Sequence, residues 1–504
     1  MGKLGSKLLR NMFSLDWRSL ALLRMGLAVV VLCDLFVCGR SVGAFYTDDG
    51  VLPRDWVDVP ANPLMGLHLA GDGVWYEGGL LALEAASALL LLLGWRTRYV
   101  TVLSWVLLLS RQARNPLLLF GPDIVLRLGL FWGMFLPLGR RFSLDAAAGR
   151  ERPPAEPDYF GVAGFCFIFQ FLLIYFTNSA VKSGPSWQVS HTAVYEALAL
   201  EMYARPLGQW FNQFDTLNRW ITVVVPRLEL YGPLLFILPW WTGRARLLGF
   251  TIFFVLQLGF NLTMTLGLFG PVMIAVMLAL LPTEFWTGIA EPAGCRLARS
   301  LPFLRPRPAG PTPPPPGSRV AGQPRWWNGS RWWQPLRWLR DGPLLFLALY
   351  AAAWDHDTLP GRRPLLPQTW RWIAWDLGLD QQFDMFGTDP QTDDGWFVLC
   401  GTLKNGRTVN AFTGVSPADF SHPASVPETY RDQRWAAWLV QLWYPEAATY
   451  LEPFALYLGR DWNRTHAGGE EMATLQVIFM WEGTGPNHTR QPLERVILWT
   501  ESLP

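Results

Sequence analysis

The sequence predicts a polytopic α-helical membrane protein of about nine spans. Its amino terminus is predicted to lie inside, and a small α+β domain at its carboxyl end outside. Hydrophobic residues make up 51% of the 504 residues and charged residues only 16%, whereas soluble domains carry about a quarter. The 28 tryptophans and 31 phenylalanines are typical of aromatic belts at membrane surfaces. Long apolar runs fill residues 1–290, whereas the end of the chain alternates as strands do.

Charge and cysteine usage narrow the function classes further. The formal net charge of +2 gives no reason to expect a nucleic-acid partner, because the charges are balanced locally rather than globally. The five cysteines and six histidines are scattered, without a C-x-x-C or H-E-x-x-H pattern, so we expect neither a disulfide framework nor a metal site. The basic amino terminus precedes an apolar run that is too long for a signal peptide. We interpret that run as a retained first span.

Residues 1–290 are predicted to form one multi-span membrane domain. Apolar runs of spanning length place its eight spans as follows. They lie near Leu20–Cys38, Gly79–Trp95, Tyr99–Ser110, Leu117–Leu138, Phe160–Val181, Ile221–Trp241, Leu247–Met264 and Leu266–Leu281. A ninth span is predicted at residues 341–356, since the apolar run Gly342–Trp354 reaches spanning length only with Leu336–Leu339.

The placement of basic residues predicts the orientation of these spans. Loops on the cytoplasmic side of membrane proteins carry an excess of lysine and arginine. If the amino terminus lies inside, the basic residues of the amino terminus and of three later loops all fall on the inner side, and the acidic loop from Asp48 to Asp72 falls outside. These basic residues are Lys3, Lys7, Arg10, Arg18, Arg96, Arg98, Arg140, Arg141, Arg244 and Arg246. We therefore expect a multi-pass protein of the cytoplasmic membrane, with membrane lipids as its partners.

The segment 291–340 reads as a basic linker rich in proline and tryptophan. Its proline run, Pro311–Gly317, is typical of a semi-rigid, extended chain. The segment Arg325–Arg340 mixes arginine with indole, a pattern found both in single-strand nucleic-acid sites and at anionic lipid surfaces. Its position just before an apolar run favours the lipid surface.

Residues 357–504 read as a separate α+β domain. Trp396–Leu403 and Thr408–Phe412 flank Asn405-Gly406, a pair that favours a tight hairpin turn. Two further strands are predicted at Thr474–Trp481 and Glu494–Thr500. A helix is expected from Tyr430 to Trp443. The ninth span would carry this domain to the outer side.

Several charges fall inside predicted spans, where each is costly and requires a partner. Asp123 and Arg127 are four residues apart on one helix and share a face, so they are expected to pair. Arg24 and Asp34 lie about 15 Å apart along the first span, so each needs a partner elsewhere, and Glu84 is a candidate for Arg24. Two interpretations stay open. The charges form either an ion-pair network that fixes helix packing or part of a catalytic site.

Lys182 is the most informative single residue. Of the 42 basic residues only four are lysine, and this one ends the apolar run Phe171–Val181 just before Ser-Gly-Pro. A lysine at a span end commonly extends toward the lipid headgroups. A desolvated amine can also lose its proton and act as a base, which a guanidinium cannot. No serine–histidine–aspartate arrangement, phosphate loop or dinucleotide motif accompanies it, so hydrolases, kinases and dehydrogenases are poor fits.

Several segments together resemble one known family. They are Tyr46–Arg54, Arg114-Asn-Pro with Gly121-Pro-Asp and Arg127, Leu136–Asp145, Val181-Lys182 with Trp187, Met264–Phe269, and Asp384-Met-Phe-Gly with Asp394-Gly-Trp. The chain resembles the HTTM (horizontally transferred transmembrane) family, whose membrane domain is shared with vitamin K-dependent gamma-carboxylase. The resemblance covers most of the chain.

The resemblance implies a function for Lys182. In the carboxylases the matching lysine acts as a free amine that deprotonates reduced vitamin K, and the oxygenated quinol then removes a glutamyl gamma-proton before CO2 adds. Carried over, Lys182 is the base. Trp187, His191, Gln257 and Asn261 would line the substrate or cofactor pocket, and reduced vitamin K or another quinol would be the cofactor. His191 falls where the family usually shows a small residue.

The chain also departs from the carboxylases. Pro116 and Gln257 stand where those enzymes have functional histidines, and the carboxyl-terminal domain is too short for the large carboxylase lumenal domain. Two hypotheses follow. The first is a lysine-based, quinol-linked enzyme that modifies an exported peptide or lipid. The second is a non-catalytic membrane factor for the maturation, export or immunity of a secreted peptide or protein.

Overall fold

The computed structural model describes residues 3–57, 62–151, 154, 156–292, 334–384, 386–485 and 489–503. Cys295 and nearly all of the predicted linker 291–340 lie outside the described residues. The division of the chain at residues 290, 340 and 356 therefore stays a prediction.

The described part of residues 1–292 is mainly helical. Asp16 begins the longest of its helices by accepting a hydrogen bond from the Arg18 amide at 2.8 Å. The helices are α1 (Lys3–Phe13), α2 (Trp17–Gly39), α3 (Val42–Tyr46), α4 (Val74–Leu93), α5 (Thr97–Arg114), α6 (Gly121–Gly133), α7 (Leu144–Ala147), α8 (Val162–Val181), α9 (Pro185–Gln188), α10 (Ala193–Ala199), α11 (Pro206–Asn212), α12 (Asp215–Tyr231), α13 (Thr242–Thr263), α14 (Phe269–Leu278) and α15 (Thr283–Phe285). A two-residue ladder joins β1 (Leu15–Asp16) to β2 (Asp158–Tyr159).

Gly94 makes the sharp turn between α4 and α5. Its φ is +70°, a left-handed conformation that glycine adopts without a steric penalty. A Cβ atom at this position would also lie 2.1 Å from the Nη1 atom of Arg24. Both the turn and the position of the Arg24 guanidinium therefore depend on a glycine at this residue.

Four of the described helices, α2, α4, α8 and α13, are long and apolar enough to cross a membrane. α14 and the helical segment Thr283–Ala290 meet at 90° and make a fifth candidate if they form one bent span. These helices lie where the first, second, fifth, seventh and eighth spans were predicted. The other predicted spans also coincide with helices, but these are shorter, more polar or only partly described. The count of nine spans stays a prediction.

Hydrogen bonds between helices show the relative direction of two helix pairs in the bundle. α2 and α4 are antiparallel, because Arg24 near the start of α2 contacts the end of α4. α8 runs parallel to α16 (Gln334–Thr358). Cys166 near the start of α8 donates to the carbonyl of Leu344 in the middle of α16 at 3.5 Å, and Thr177 donates to Asp355 at 2.8 Å near the ends of both helices. We call the end of the bundle that carries Lys182 the Lys182 end and the opposite end the Arg24 end.

The segment after α16 enters the helical bundle. It contains α17 (Arg371–Leu377). Leu366, Ala374, Leu379 and Phe383 all belong to the same buried apolar cluster as the bundle helices. Gln170 of α8 donates to Gln381 at 2.7 Å in the same region. Part of the predicted carboxyl-terminal domain thus packs as a component of the bundle.

The carboxyl-terminal sheet has four antiparallel strands. They are β3 (Asp393–Leu403), β4 (Thr408–Asn410), β5 (Met472–Gly483) and β6 (Glu494–Ser502), in the order β4-β3-β5-β6. Register pairs include Cys400 with Asn410 and Phe397 with Phe479. The predicted hairpin is confirmed, with Gly406 at φ +82° in its turn. The two later strands are confirmed as well.

Helices α18 (Val426–Thr429), α19 (Gln433–Trp443) and α20 (Leu451–Thr465) complete the domain, which confirms the helix predicted near Tyr430. The apolar core of this domain includes Trp438 and Phe454. The same core continues into α3, the short helix after α2. The rings of Phe45 and Trp435 lie 4.5 Å apart there. The sheet domain is therefore packed against the Lys182 end of the bundle through a shared core.

Candidate functional site

Lys182 is the first residue after α8, and its amine turns back toward the bundle. Only 4% of the residue is exposed. Nζ donates to the Asn178 carbonyl at 3.1 Å, one of the last-turn carbonyls that a helix leaves unpaired. It also forms an ion pair with Glu229 Oε2 at 2.6 Å. Lys182 thus joins α8 to α12 and does not extend into solvent.

Glu229 is the partner that the sequence analysis did not single out. It lies in the last turn of α12, after Pro226, and only 1% of it is exposed. Its Oε1 atom accepts a hydrogen bond from Asn178 Nδ2 at 2.7 Å. Its position in a predicted span, where a charge requires a partner, was the signal that could have identified it.

The pKa of Lys182 is lowered. Burial is the larger cause, since a low-dielectric surrounding disfavours the ammonium form. The negative charge of Glu229 and its hydrogen bond act in the opposite direction. The carboxylate of Glu229 partly stabilises the ammonium form of Lys182. The protonation of Lys182 therefore depends on Glu229 as well as on burial.

The loop after Lys182 is held by the carboxyl-terminal segment. Trp187 lies with its ring centre 5.4 Å from Lys182 Nζ and donates its indole N–H to the Phe386 carbonyl at 3.1 Å. The Gly184 amide donates to the Thr388 carbonyl at 2.9 Å, and the Ser186 amide donates to Asp389 at 2.8 Å. Residues 386–389 therefore fix the position of the indole over the amine.

His191 belongs to the same loop. It adopts a φ of +55°. Its Nδ1 atom hydrogen-bonds the Trp187 carbonyl at 2.9 Å. The imidazole thus supports the loop backbone.

A cavity of about 850 Å³ lies between the Lys182 end of the bundle and the sheet domain. Its floor combines apolar side chains of α8 and α14, such as Ile174 and Met273, with the polar groups of Asn178 and Glu229. Lys182 does not line this cavity and lies behind Glu229. The carboxylate, and not the amine, is the charged group that faces the ligand space at the floor.

Gln257 and Asn261 lie on α13 beside this floor. Gln257 is 1% exposed and donates from Nε2 to the Tyr175 hydroxyl at 3.1 Å. Its Oε1 atom has no hydrogen-bond partner among the described residues, and neither does Asn178 Oδ1. Asn261 donates to the Gln257 carbonyl at 2.8 Å and so supports the helix backbone. Two buried acceptors are therefore available to a bound molecule that donates hydrogen bonds.

The charge network predicted within the spans has different partners from those expected. Asp123 does not pair with Arg127, because its carboxylate caps α6 through the Phe120 amide at 2.9 Å and faces the sheet domain. There Arg434 of α19 binds it at 2.6 Å. Arg127 instead pairs with Asp380 at 2.9 Å.

Arg24 does not pair with Glu84 either. Its guanidinium donates to the Leu91 and Leu92 carbonyls at 2.8 and 3.0 Å, and also to the Phe142 carbonyl. Glu84 lies about two turns away on α4, toward the opposite end of the bundle. Arg24 therefore caps the end of α4 at the Arg24 end.

At the Lys182 end the acids share two buried arginines. Arg111 of α5 binds Asp34 at 2.6 Å and Glu84 at 2.9 Å. Arg434 bridges Asp34 and Asp123. Neither arginine was predicted as a partner of these acids. Arg111 stands at the end of a predicted span, and Arg434 lies in the separate sheet domain. Within the described residues, no three histidine, cysteine, aspartate or glutamate side chains are grouped as a metal site would require.

The predicted site residues therefore divide into three groups. Lys182, Trp187 and His191 lie on one loop, Gln257 and Asn261 lie beside the cavity, and the charged residues lie apart from both. Comparison of the chain with family models, with curated proteins and with solved structures found no match. The resemblance to the HTTM family stays a prediction from the sequence motifs.

Proposed function

We propose that the protein is an HTTM-type membrane enzyme that binds a quinol or a similar lipophilic, hydroxyl-bearing molecule in the cavity at the Lys182 end. The Lys182–Glu229 pair is its proton-accepting group. The observation that carries this proposal is the floor of the cavity. There a buried carboxylate and two unsatisfied acceptor oxygens face an apolar space.

The residues present fit such a ligand. A hydroxyl group donates hydrogen bonds, which matches Asn178 Oδ1 and Gln257 Oε1, two buried acceptors without partners. Apolar and aromatic walls such as Ile174, Tyr175 and Met273 suit a ring system. When bound, a quinol would supply, through its oxygenation, the basicity that proton removal from carbon requires.

The chain's own residues divide the proton chemistry between them. Glu229 is placed to accept a proton at the cavity surface. Lys182 Nζ lies 2.6 Å from Oε2, so as a free amine it can take up the proton that the carboxylate has accepted. The family resemblance implies that the lysine is the base, and the proposal adds that a proton reaches it through the carboxylate of Glu229, which lines the cavity.

The test is quinol binding and oxidation by the purified protein in neutral detergent. The variants are Lys182→Arg, which keeps the ion pair but removes the titratable amine, and Glu229→Gln, which removes the acceptor. We expect turnover to fall about 100-fold or more in both, with the melting temperature of Lys182→Arg preserved. Arg495→Lys, an exposed substitution in the sheet domain, is the matched control. Equal turnover in wild type and both variants would overturn the proposal.

The second candidate is the non-catalytic membrane factor for a secreted peptide or protein. It is favoured by the engagement of Lys182. The amine contacts Glu229, the Asn178 carbonyl and the Trp187 ring, and it does not line the cavity. In that case Lys182 only ties α8 to α12, and Lys182→Arg behaves as the wild type does.

We place the protein in the cytoplasmic membrane, with its amino terminus inside, about nine spans, and the sheet domain outside. The parallel course of α8 and α16 agrees with the predicted order of spans, because it requires an even number of crossings between their starts, and the orientation itself rests on the placement of the basic residues. Reporter fusions after Gly149 and after Leu503 test it. Activity of a periplasmic reporter at the second site only is the expected result, and activity at the first would contradict the orientation.

A further inference from the structure

The mouth of the cavity differs in character from its floor. Whereas the floor is mainly apolar with a few buried polar groups, the mouth carries four carboxylates and one guanidinium. They are Asp384, Asp389, Glu428, Asp432 and Arg431. All come from the sheet domain or from the segment that leads into it.

None of these four carboxylates forms an ion pair with a basic side chain in the described part of the chain. Asp384 accepts a hydrogen bond from Gln382 at 2.6 Å, and Asp389 accepts one from the Ser186 amide. Asp432 caps α19 through two backbone amides. The negative charge of the mouth is therefore available to a ligand.

Arg431 offsets only one of these four negative charges and forms no ion pair with them in the described part of the chain. Its guanidinium lies over the Phe412 ring at 4.4 Å and over the Trp435 ring at 5.5 Å. It also donates to the Phe412 carbonyl at 3.3 Å. Its cation is thus committed to the aromatic core of the sheet domain.

A second observation also points to a ligand that donates hydrogen bonds. Gln257, 1% exposed, lines the same cavity, and its Oε1 atom has no hydrogen-bond partner among the described residues. From mouth to floor the cavity thus presents acceptors and negative charge between apolar walls. Anionic molecules, such as acidic peptides or fatty acids, would meet like charge at the mouth.

We propose that the mouth docks a basic, extended peptide segment. Its lysine or arginine side chains lie against Asp384, Asp389 and Glu428, and a neighbouring residue is directed toward the floor. This inference rests on the proposed function, because it names the substrate that a quinol-linked site would modify. The substrate is a basic peptide and not the glutamate-rich peptide that a gamma-carboxylase takes.

The test uses the full chain in neutral detergent and two labelled peptides of about ten residues, one alternating lysine with alanine and one alternating glutamate with alanine. Fluorescence anisotropy measures their binding at low and moderate salt. We expect the lysine peptide to bind and the glutamate peptide not to bind. In the variant D384N/E428Q the Kd for the lysine peptide rises about ten-fold, and its dependence on salt becomes weaker.

The matched control is E452Q/E494Q, which removes two exposed carboxylates that do not line the cavity. Binding of the lysine peptide that is unchanged in D384N/E428Q, or equal binding of the two peptides by the wild type, overturns the docking site.

Quinol oxidation is measured on the same samples. If the wild type oxidises quinol but binds neither peptide, the docking inference fails alone. If peptide binding depends on the mouth but no quinol is oxidised, the proposed function fails, and the basic-peptide site stands without it.

Discussion

Arg434 of the sheet domain forms a buried ion pair with Asp34 of the first long helix, 400 residues earlier in the chain. The same guanidinium binds both oxygens of Asp123 at 2.6 and 2.9 Å and the Leu118 carbonyl at 2.7 Å. One side chain thus connects α19 with α2 and α6. The sheet domain and the bundle are joined by charge as well as by their shared apolar core.

Removal of this guanidinium is expected to destabilise the whole protein. Arg434→Met leaves the carboxylates of Asp34 and Asp123 buried with less compensating charge, which costs about 3–5 kcal/mol. Thermal unfolding in detergent, followed by tryptophan fluorescence, measures the loss. Arg431→Met is the control. Arg431 lies three residues before Arg434, and its guanidinium forms no ion pair within the described residues. A melting temperature of Arg434→Met equal to that of the control would contradict the role of the pair.

A compensated variant separates lost charge from lost packing. The triple variant combines Asp34→Asn and Asp123→Asn with Arg434→Met. It leaves no unpaired charge at this position, so much of the lost stability should return. If the triple variant is no more stable than Arg434→Met alone, the loss comes from packing.

The Lys182–Glu229 pair should also behave as one unit in stability. Lys182→Met or Glu229→Leu alone leaves one buried charge without its partner, and each is expected to cost about 3 kcal/mol. The double variant should cost less than the sum of the two, by about 1–3 kcal/mol. Chemical unfolding of the four proteins measures this coupling. Additive losses would show that the two side chains do not depend on each other.

Sequence reasoning found the helices whose signals are local. α2, α4, α8 and α13 each carry enough consecutive apolar residues to be predicted individually, and Asn405-Gly406 marks its hairpin within two residues. The partners of charged residues could not be found in this way. Asp123 and Arg127 share a helix face, yet each binds a residue more than 250 positions away. Spacing along one helix does not encode such tertiary contacts.

The stability of the sheet domain should depend on pH through Asp394. Burial raises the pKa of this carboxyl from 3.8 to about 6, and the nearby charge of Glu201 adds to the effect, while Arg490 opposes it. The folded state therefore holds this proton more tightly than the unfolded state does. The resulting stabilisation is present below about pH 4 and is lost as the pH rises to 6 and above.

Asp394→Asn removes this dependence. Relative to the wild type, the variant should gain up to about 3 kcal/mol between pH 4 and pH 7. Melting temperatures of both proteins across this range provide the measurement, with Glu446→Gln as the exposed control. A difference between wild type and variant that stays constant with pH would contradict the raised pKa.

Gly26 should be sensitive to substitution because α2 and α14 approach closely there. A Cβ atom at Gly26 would lie 2.8 Å from the Cβ of Ala275 and 3.2 Å from its Cα. Gly26→Val should force these helices apart and destabilise the bundle by about 1–3 kcal/mol. Gly259→Val in α13 is the matched control, since a Cβ there meets nothing within 4 Å. Equal melting temperatures would show that the contact tolerates a side chain.

The candidate site was predicted only in part for the same reason as the charge network. Lys182 is conspicuous because lysine is rare in this chain and follows an apolar helix directly. Glu229 was not predicted as the partner of Lys182, although it lies in a predicted span, because nothing nearby in the sequence connects the two residues. The contact arises where α12 ends beside α8, and the cavity beside it exists only once the sheet domain is in place.

The long separation between Asp34 and Arg434 has a consequence for biosynthesis. A ribosome completes the helix that carries Asp34 hundreds of codons before it reaches Arg434, so during translation the aspartate lacks half of its counter-charge. A chain that stops before α19 would leave Asp123 without the Arg434 guanidinium and Asp34 with Arg111 as its remaining partner. We therefore expect a truncated product to be less stable than the full chain and to be degraded faster.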